Sequence, residues 1–293
     1  MLIQQKLKQL ELSYNEKIVA DYILIHKENI NHLSINDISK ETHTSLSTTV
    51  RLSKKCGFNG WKDFKEAYQE ELDYLYSHFQ EIDANIPFNQ NDSYQDITYK
   101  MATLLSDAIL DTVQLIHHDE LLKAIQYLDK APHIYIFAIT NTAAVTYDFA
   151  YKMRFLYKKV KIVENPEEFY FVLNMMEKDD CIILVSYSGE TFELFDVAEL
   201  KTKYQFHTIS ITSLGDNSLI QYTDCHLFIS TREKLYSKIG HFVSNESIHY
   251  ILDTLYACLF RKHYQENWDK KLALSKRIDY ERYSTIDIIQ EDE

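Results

Sequence analysis

Five short apolar runs, separated by longer stretches with helical periodicity, constrain the fold of the C-terminal two thirds of this chain. The runs are Ile134–Ile139, Val160–Val163, Cys181–Val185, Thr208–Thr212 and His226–Ile229. Each run has the length of one strand, and strands that alternate with helices form a parallel sheet with helices on both faces. The pattern therefore predicts an α/β, doubly wound, parallel five-stranded sheet.

The first 77 residues show helical periodicity alone, which predicts an all-α N-terminal domain. Ser34 is a good helix cap, and Asp37 follows it in the arrangement of a capping box. A further helix begins near Ser45 and ends at Gly57, since glycine favours the left-handed conformation that commonly follows a helix. Residues 34–55 thus have the layout of a helix-turn-helix unit.

A stretch rich in Asn, Asp and Ser interrupts the periodicity and predicts a linker over residues 78–95. We expect two helices, Ile97–Ile116 and Asp119–Asp129, before the sheet, so that the α/β domain spans residues 96–265. The charged tail at residues 266–293 leaves helical and frayed structures both open.

The net negative charge lies entirely after residue 72. The whole chain carries a formal charge of −13, yet residues 1–72 contain ten Lys or Arg and ten Asp or Glu. Within residues 45–65 there are five cations and one carboxylate, that of Asp63. A basic stretch in a neutral domain is typical of a surface that binds nucleic acid. The alternative is an ordinary helix face in contact with solvent.

Other patterns exclude several classes of protein. The apolar runs are too short to span a bilayer, and the N-terminus lacks the apolar core of a signal peptide. The four cysteines show no metal-site spacing; they are Cys56, Cys181, Cys225 and Cys258. We therefore expect a cytoplasmic protein with no membrane association, no metal and no cofactor.

The helix that begins near Ser45 has two distinct faces. At about 100° per residue, one arc is polar and contains Ser47, Thr48, Arg51, Lys54 and Lys55. The opposite arc contains Leu46, Thr49, Leu52 and Cys56. Such a helix can pack its apolar arc on two other helices and present hydroxyls and Arg51 to base edges, with lysines on phosphates. An ordinary amphipathic surface helix is the alternative.

A run of matching residues extends beyond this helix. It contains Ser45, Ser47-Thr48, Arg51, Gly57-Phe58, Gly60, Trp61 and Phe64-Lys65. In order and spacing this run resembles the N-terminal domain of RpiR-type (MurR/RpiR) bacterial transcriptional regulators, with Cys56 where the family usually has Leu. The resemblance implies that Ser45–Lys55 is a recognition helix for operator DNA. The candidate DNA-binding residues are Ser45, Ser47, Thr48, Arg51, Lys54, Lys55 and Lys62.

A hydroxyl-rich turn follows the third predicted strand directly. It reads Ser186-Tyr187-Ser188-Gly189-Glu190-Thr191 and precedes a predicted helix. Free backbone N–H groups, the helix dipole and the hydroxyls can all stabilise a phosphate at such a place, at the carboxyl ends of the strands. An ordinary capped turn is the alternative, because Ser and Thr are good helix caps.

With the fragments IYIFAITNTAAVT and SITSLGDNSL, this turn makes residues 120–262 resemble the SIS (sugar isomerase) domain. RpiR-type regulators carry such a domain after their helix-turn-helix, and the resemblance implies binding of a phosphorylated sugar. The candidate effector-binding residues are Asn141, Thr142, Ser186, Ser188, Gly189, Glu190, Thr191 and Ser244.

This chain departs from the SIS pattern after the first strand. The family usually has Gly-x-Gly-x-Ser there, whereas this sequence has Ala138, Thr140 and Thr142. Glycines in that motif allow a ligand to approach the backbone closely. This departure is compatible with a narrowed ligand pocket and also with a loss of ligand binding. A second departure is Asn245, which replaces an Arg that is common beside Ser244 in the family.

Together these features indicate a DNA-binding transcriptional regulator that senses a phosphorylated sugar and acts as a homodimer or a dimer of dimers, and not an enzyme. Two alternatives stay open. One is a phosphosugar isomerase or lyase that uses Glu190 beside the hydroxyl turn. The other is a DNA-binding dimer with a vestigial sensor domain, as Ala138 and Thr140 suggest.

Overall fold

The computed structural model describes residues 2–76, 82–190, 197–215, 217–278 and 288. The chain divides into two compact units. The first comprises Met1–Leu115, Ser213–Ser218 and Phe228–Glu246, and the second comprises Ile116–Thr212, Leu219–Leu227 and Ser247–Glu293. Among the described helices, none is both long and apolar enough to cross a membrane.

Residues 2–76 contain α-helices and no strand, as predicted. The helices are α1 (Ile3–Gln9), α2 (Tyr14–Ile25), α3 (Ile35–Thr42), α4 (Leu46–Lys55) and α5 (Trp61–Tyr76), with a short 3-10 helix at Lys27–His32. Each α-helix buries an apolar face in one shared core, which includes Val19, Ile23, Ile38, Leu52, Phe64 and Tyr68. Burial of these side chains holds the helices together.

Local signals begin α3 and end α4 where the sequence predicts. Ser34 caps α3, and its hydroxyl accepts a hydrogen bond from the Asp37 N–H (3.2 Å) while Asp37 accepts one from the Ser34 N–H (2.9 Å). After α4, Gly57 adopts φ +94°. The Phe58 N–H then donates to the Ser53 carbonyl (3.1 Å). This pattern is a Schellman motif, for which glycine is the preferred residue.

Part of the predicted linker contacts a distant loop. The Asn85 side chain accepts a hydrogen bond from the Lys234 N–H (2.6 Å), and the Asn85 carbonyl accepts one from the Ile239 N–H (2.9 Å). Ala84, the preceding residue, is buried in a small core that includes Leu104 on α6 (Tyr94–Leu115). Residues 82–93 are therefore anchored, although the predicted domain boundaries themselves stay a prediction.

Five strands form one sheet, which confirms the predicted fold class. They are β1 (His133–Phe137), β2 (Lys159–Val163), β3 (Cys181–Ser186), β4 (His207–Ser213) and β5 (Cys225–Ile229), in the order β2-β1-β3-β4-β5. The pairs β1–β2, β1–β3 and β3–β4 are parallel. Strand β3 is buried along its whole length, as expected for the centre of a sheet covered on both faces.

Helices alternate with the strands. They are α7 (His118–Lys130), α8 (Asn141–Met153), α9 (Pro166–Met175), α10 (Val197–Tyr204), α11 (Phe242–Lys262) and α12 (Tyr264–Ile278). The sequence pattern also predicts helices over Ala143–Tyr157 and Phe192–Lys203. Helix α8 ends before Tyr157, because residues Arg154–Leu156 form a 3-10 turn and Tyr157 adopts φ +56°. The start of the predicted helix Phe192–Lys203 and most of the tail beyond Ile278 lie outside the described residues. The described start of the tail is helical.

The two leucines of α4 provide a test of this packing. Leu52 is 1% exposed and Leu46 is 47% exposed. We expect Leu52→Ala to lower the free energy of unfolding of the helical domain by about 2–5 kcal/mol, because it leaves a cavity. Leu46→Ala is the matched control, with a change within about 0.5 kcal/mol. Urea denaturation followed by circular dichroism measures both, and equal losses would contradict the packing described.

Candidate nucleic-acid interface and anion site

Helix α4 packs on α2 and α3 with one face and leaves the other exposed. Its buried residues are Thr48, Thr49, Leu52 and Ser53. Ser47, Arg51 and Lys54 are exposed. The exposed arc therefore carries one hydroxyl and two cations, which are the groups that read base edges and contact phosphates in a major groove.

One member of the predicted polar arc, Thr48, is buried, and one member of the apolar arc, Leu46, is exposed. Thr48 is completely buried, so its predicted exposure is wrong. At about 100° per residue it lies only about 40° from Leu52, at the edge of the arc. Leu46, predicted to pack inside, is largely exposed because it lies at the opposite edge in the first turn.

Lys55 shares the edge position of Thr48 and is held by another helix. Its ammonium lies 2.8 Å from the Glu16 carboxylate and donates to the Glu11 carbonyl (3.2 Å). The Glu16 side chain is 6% exposed and that of Lys55 is 44% exposed. A phosphate contact by Lys55 would require this ion pair to open, so the predicted contact stays a prediction.

Hydroxyl groups organise the start of α4. The Ser45 hydroxyl lies 2.8 Å from that of Ser47 and 2.9 Å from that of Thr48. The Arg51 guanidinium donates to the Thr48 hydroxyl at 3.5 Å, the limit of a hydrogen bond. The buried Thr48 hydroxyl thus contacts the Arg51 side chain and does not face solvent.

Lys62 lies at the start of α5 and is fully available to solvent. Its side chain is 84% exposed, and its ammonium is 3.8 Å from the carboxylate of Glu66, one turn further along the helix. Exposed pairs of this kind contribute little to stability and exchange readily. Lys62 therefore keeps the exposure that a phosphate contact requires.

In the turn after β3, backbone N–H groups bond to the hydroxyls of the turn's own serines. Gly189 adopts φ +69°, and its N–H donates to the Ser186 hydroxyl (3.1 Å). The Glu190 N–H donates to the Ser188 hydroxyl (3.2 Å). These hydroxyls accept hydrogen bonds through oxygen, which leaves the O–H group of Ser188 able to donate to an anion. Thr191 lies outside the described residues.

The turn after β1 leaves the same edge of the sheet, because Phe137 pairs with Leu184 in parallel register. Thr140 adopts φ +55° and ψ −128° there, a conformation that glycine adopts freely and a β-branched residue adopts only at an energetic cost. The family glycine has therefore been replaced while the backbone keeps the conformation that glycine suits. Ala138 is completely buried.

The Thr142 hydroxyl is directed at the backbone. It donates to the Ile139 carbonyl (2.8 Å), and the residue is 7% exposed. Asn141, the first residue of α8, accepts a hydrogen bond from the Thr140 hydroxyl (3.2 Å). The predicted ligand contact of Thr142 stays a prediction, and a hydrogen bond from Thr142 to a ligand would require its bond to Ile139 to break.

Ser244 faces a carboxylate of the protein itself. It is 1% exposed, and its hydroxyl donates to Glu233 (2.7 Å). The same carboxylate accepts a hydrogen bond from the Val243 N–H (2.7 Å) and lies 2.8 Å from the ammonium of Lys238. A buried internal anion thus occupies the start of α11, so the predicted role of Ser244 in effector binding would require this network to open.

Two carboxylates that shape these sites were missed by sequence reasoning. Glu16 had a visible signal, since Ser13 and Glu16 form a capping box. Hydrogen bonds from Lys55 and from the Ser13 backbone lower the pKa of Glu16 to about 2. Glu233 had no signal in the sequence, because only the folded conformation of its loop brings it into contact with Lys238 and Ser244.

One cluster of potential metal ligands occurs among the described residues. Asp148, His249 and Asp253 lie close together. The ammonium of Lys152 forms ion pairs with the carboxylates of both Asp148 and Asp253. This lysine therefore balances the negative charge that a metal ion would otherwise balance.

Comparison with known proteins identifies both parts of the chain. A model described as the helix-turn-helix domain of the rpiR family matches residues 1–74, and the SIS domain model matches residues 127–257. An uncharacterized HTH-type transcriptional regulator of Clostridium perfringens is 25% identical over 265 residues, or 90% of this chain and 93% of the relative.

Solved structures share the fold. The NanR protein of Vibrio vulnificus, complexed with ManNAc-6P, has a TM-score of 0.59 at 21% identity and covers 96% of this chain and 100% of that chain. The sugar isomerase domain of an RpiR transcription factor from Sphaerobacter thermophilus has a TM-score of 0.54 at 16% identity, over 64% of this chain and 99% of that chain.

The strained residue in the β1 turn provides a test. We expect Thr140→Gly to raise the free energy of unfolding by roughly 1 kcal/mol, since relief of about 1–3 kcal/mol of strain exceeds the entropy cost of glycine. Thr98→Gly, at an exposed position inside α6, is the matched control and should destabilise the protein. Thermal unfolding measures both variants. A loss of stability in Thr140→Gly as large as in the control would show that no strain exists.

Proposed function

The chain belongs to the rpiR-type helix-turn-helix regulators that carry a SIS domain, and from this premise we propose how it binds DNA and a phosphorylated sugar. Helix α4 enters the major groove of an operator, and the turns after β1 and β3 bind the phosphate. The observation that carries the proposal is the exposed arc of Ser47, Arg51 and Lys54 on a helix whose other face is buried.

In the DNA complex each exposed group has a distinct part. Arg51 donates to a base edge in the bidentate geometry that favours guanine. Ser45 and Ser47 hold the start of α4 near the DNA backbone. Lys54 and Lys62 contact phosphates and supply affinity that is independent of sequence. A homodimer presents two copies of α4, so half-sites lie about 10 bp or a multiple of this apart.

In the effector complex the turn after β3 supplies most of the donors. The hydroxyls of Ser186 and Ser188 and the N–H groups of Gly189 and Glu190 exchange their mutual hydrogen bonds for bonds to phosphate oxygens. Thr191 and Asn141 complete the cradle, and Glu190 accepts from a sugar hydroxyl. The proposal is supported by the NanR protein of similar fold, which was solved with ManNAc-6P. It assigns no catalysis to this site.

Sugar binding and DNA binding are coupled through the arrangement of the two DNA-binding domains of the dimer. Such coupling needs a difference of only about 1–3 kcal/mol between two states. The proposal places the protein in the cytoplasm, with the DNA that it regulates.

A second candidate is a DNA-binding dimer with a vestigial sensor. The observation that favours it is the β1 turn, where Thr140 replaces a flexible glycine and Thr142 donates to the backbone. A phosphate would have to rearrange this turn to obtain donors from it, which lowers the affinity.

The DNA-binding role can be tested with a duplex selected from a random pool by the full-length protein. We expect Arg51→Ala to weaken binding to this duplex by about 1–3 kcal/mol and to relax sequence preference at one position. Lys54→Ala should weaken binding to all duplexes and reduce the slope of log K against log salt concentration by about 0.9. Lys178→Ala, exposed in the other unit, is the control. Unchanged affinity and slope in both test variants would rule out α4 as the recognition helix.

The sensor role can be tested by thermal shift with hexose phosphates, N-acetylhexosamine phosphates and the free sugars. We expect at least one phosphorylated sugar to stabilise the wild type by about 2.7 kcal/mol at 100 times Kd. Ser188→Ala should abolish this shift, whereas Ser106→Ala, exposed on α6, should keep it. If no phosphorylated sugar stabilises the wild type, the vestigial sensor is the better description.

A further inference from the structure

Glu16 is a carboxylate that contacts two helices of the N-terminal domain. It lies in the first turn of α2, where it completes a capping box by accepting from the Ser13 N–H (2.9 Å). It also accepts from the Lys55 ammonium at 2.8 Å, across 39 residues of sequence. One carboxylate thus joins the start of α2 to the end of α4.

The ion pair between Glu16 and Lys55 differs from the other lysine pair near the interface. The Glu16 side chain is 6% exposed, whereas Glu66, which faces Lys62 at 3.8 Å, is 63% exposed. If Lys55 left, Glu16 would remain a nearly buried carboxylate that keeps its hydrogen bonds from Ser13 but has lost its positively charged partner. Removing one partner of such a pair is costly, whereas Lys62 can leave Glu66 at little cost.

The position of Lys55 on α4 makes this pairing relevant to DNA. Lys54 is the preceding residue and Arg51 lies one turn earlier, and both are exposed. The Lys55 side chain is itself 44% exposed, so a free Lys55 would add a third cation to the same helix. Binding without sequence preference depends on the number of phosphates that lysines and arginines neutralise.

We propose that Glu16 is a positioning residue that withholds Lys55 from the phosphate backbone and thereby limits binding to nonspecific DNA. The inference rests on the proposed function of α4. When DNA binds, Lys55 stays with Glu16, and the charge contacts of α4 come from Arg51 and Lys54. The pair also fixes the end of α4 against α2, so these two side chains keep their orientation.

The test uses the full-length protein and a 30-bp duplex of random sequence, with affinity measured over a range of salt concentrations. We expect Lys55→Gln to leave the slope of log K against log salt unchanged, because Lys55 makes no phosphate contact. Glu16→Gln should steepen the slope by about 0.9 and tighten binding about 3- to 8-fold near 0.1 M salt. The double variant Glu16→Gln/Lys55→Gln should restore the wild-type slope.

Glu66→Gln is the matched control, because it changes the net charge as Glu16→Gln does. Its partner, Lys62, is already 84% exposed and only weakly paired. This variant should leave the slope unchanged. A slope reduced by about 0.9 in Lys55→Gln would overturn the inference, and this arm does not depend on the folding of Glu16→Gln. A wild-type slope in Glu16→Gln that is shown to be folded by circular dichroism would overturn it as well. If the wild type binds neither this duplex nor the selected one, the proposed function fails, and the inference fails with it.

Discussion

The burial of one face of a ten-residue helix is the interaction on which the DNA-binding domain depends. Leu52 on α4 and Cys56 directly after α4 share a core with residues of α2, α3 and α5, and that core fixes the rotation of α4 about its own axis. Once the rotation is fixed, the exposed residues follow from the helical period. The packing of α4 is therefore what exposes Arg51 and Lys54 on the surface of the domain.

The same packing decides which charges remain available. Residues at the edge of the polar arc meet neighbouring helices, so Thr48 becomes buried and Lys55 meets Glu16. Of the three cations on this arc, one is thus paired with a carboxylate of the domain. The remaining small number of cations suits a regulator, since specificity is the ratio of operator binding to nonspecific binding and weakens as phosphate contacts accumulate.

The sensor unit depends on parallel register. Because β1 and β3 are neighbours in parallel register, the turns that follow them leave the same edge of the sheet, where ligands of doubly wound folds bind. The turn after β3 keeps its glycine at φ +69° and its serines. The turn after β1 has Thr140 in place of the family glycine, so it is the more constrained of the two turns that we propose as the phosphate site.

Sequence patterns predicted much of this architecture, because local signals specify local structure. The capping box at Ser34, the glycine after α4 and the alternation of strands and helices all correspond to observed elements. What could not be predicted depends on contacts between distant residues. The pairing of Lys55 with Glu16 spans 39 residues, and that of Ser244 with Glu233 depends on the path of a loop.

The most direct measurement is a structure of the full-length protein on a duplex selected from a random pool. The account predicts that α4 lies in the major groove, with Arg51 on a base edge and Lys54 on a phosphate. A complex in which another element fills the groove, while α4 faces solvent or a protein surface, would contradict it.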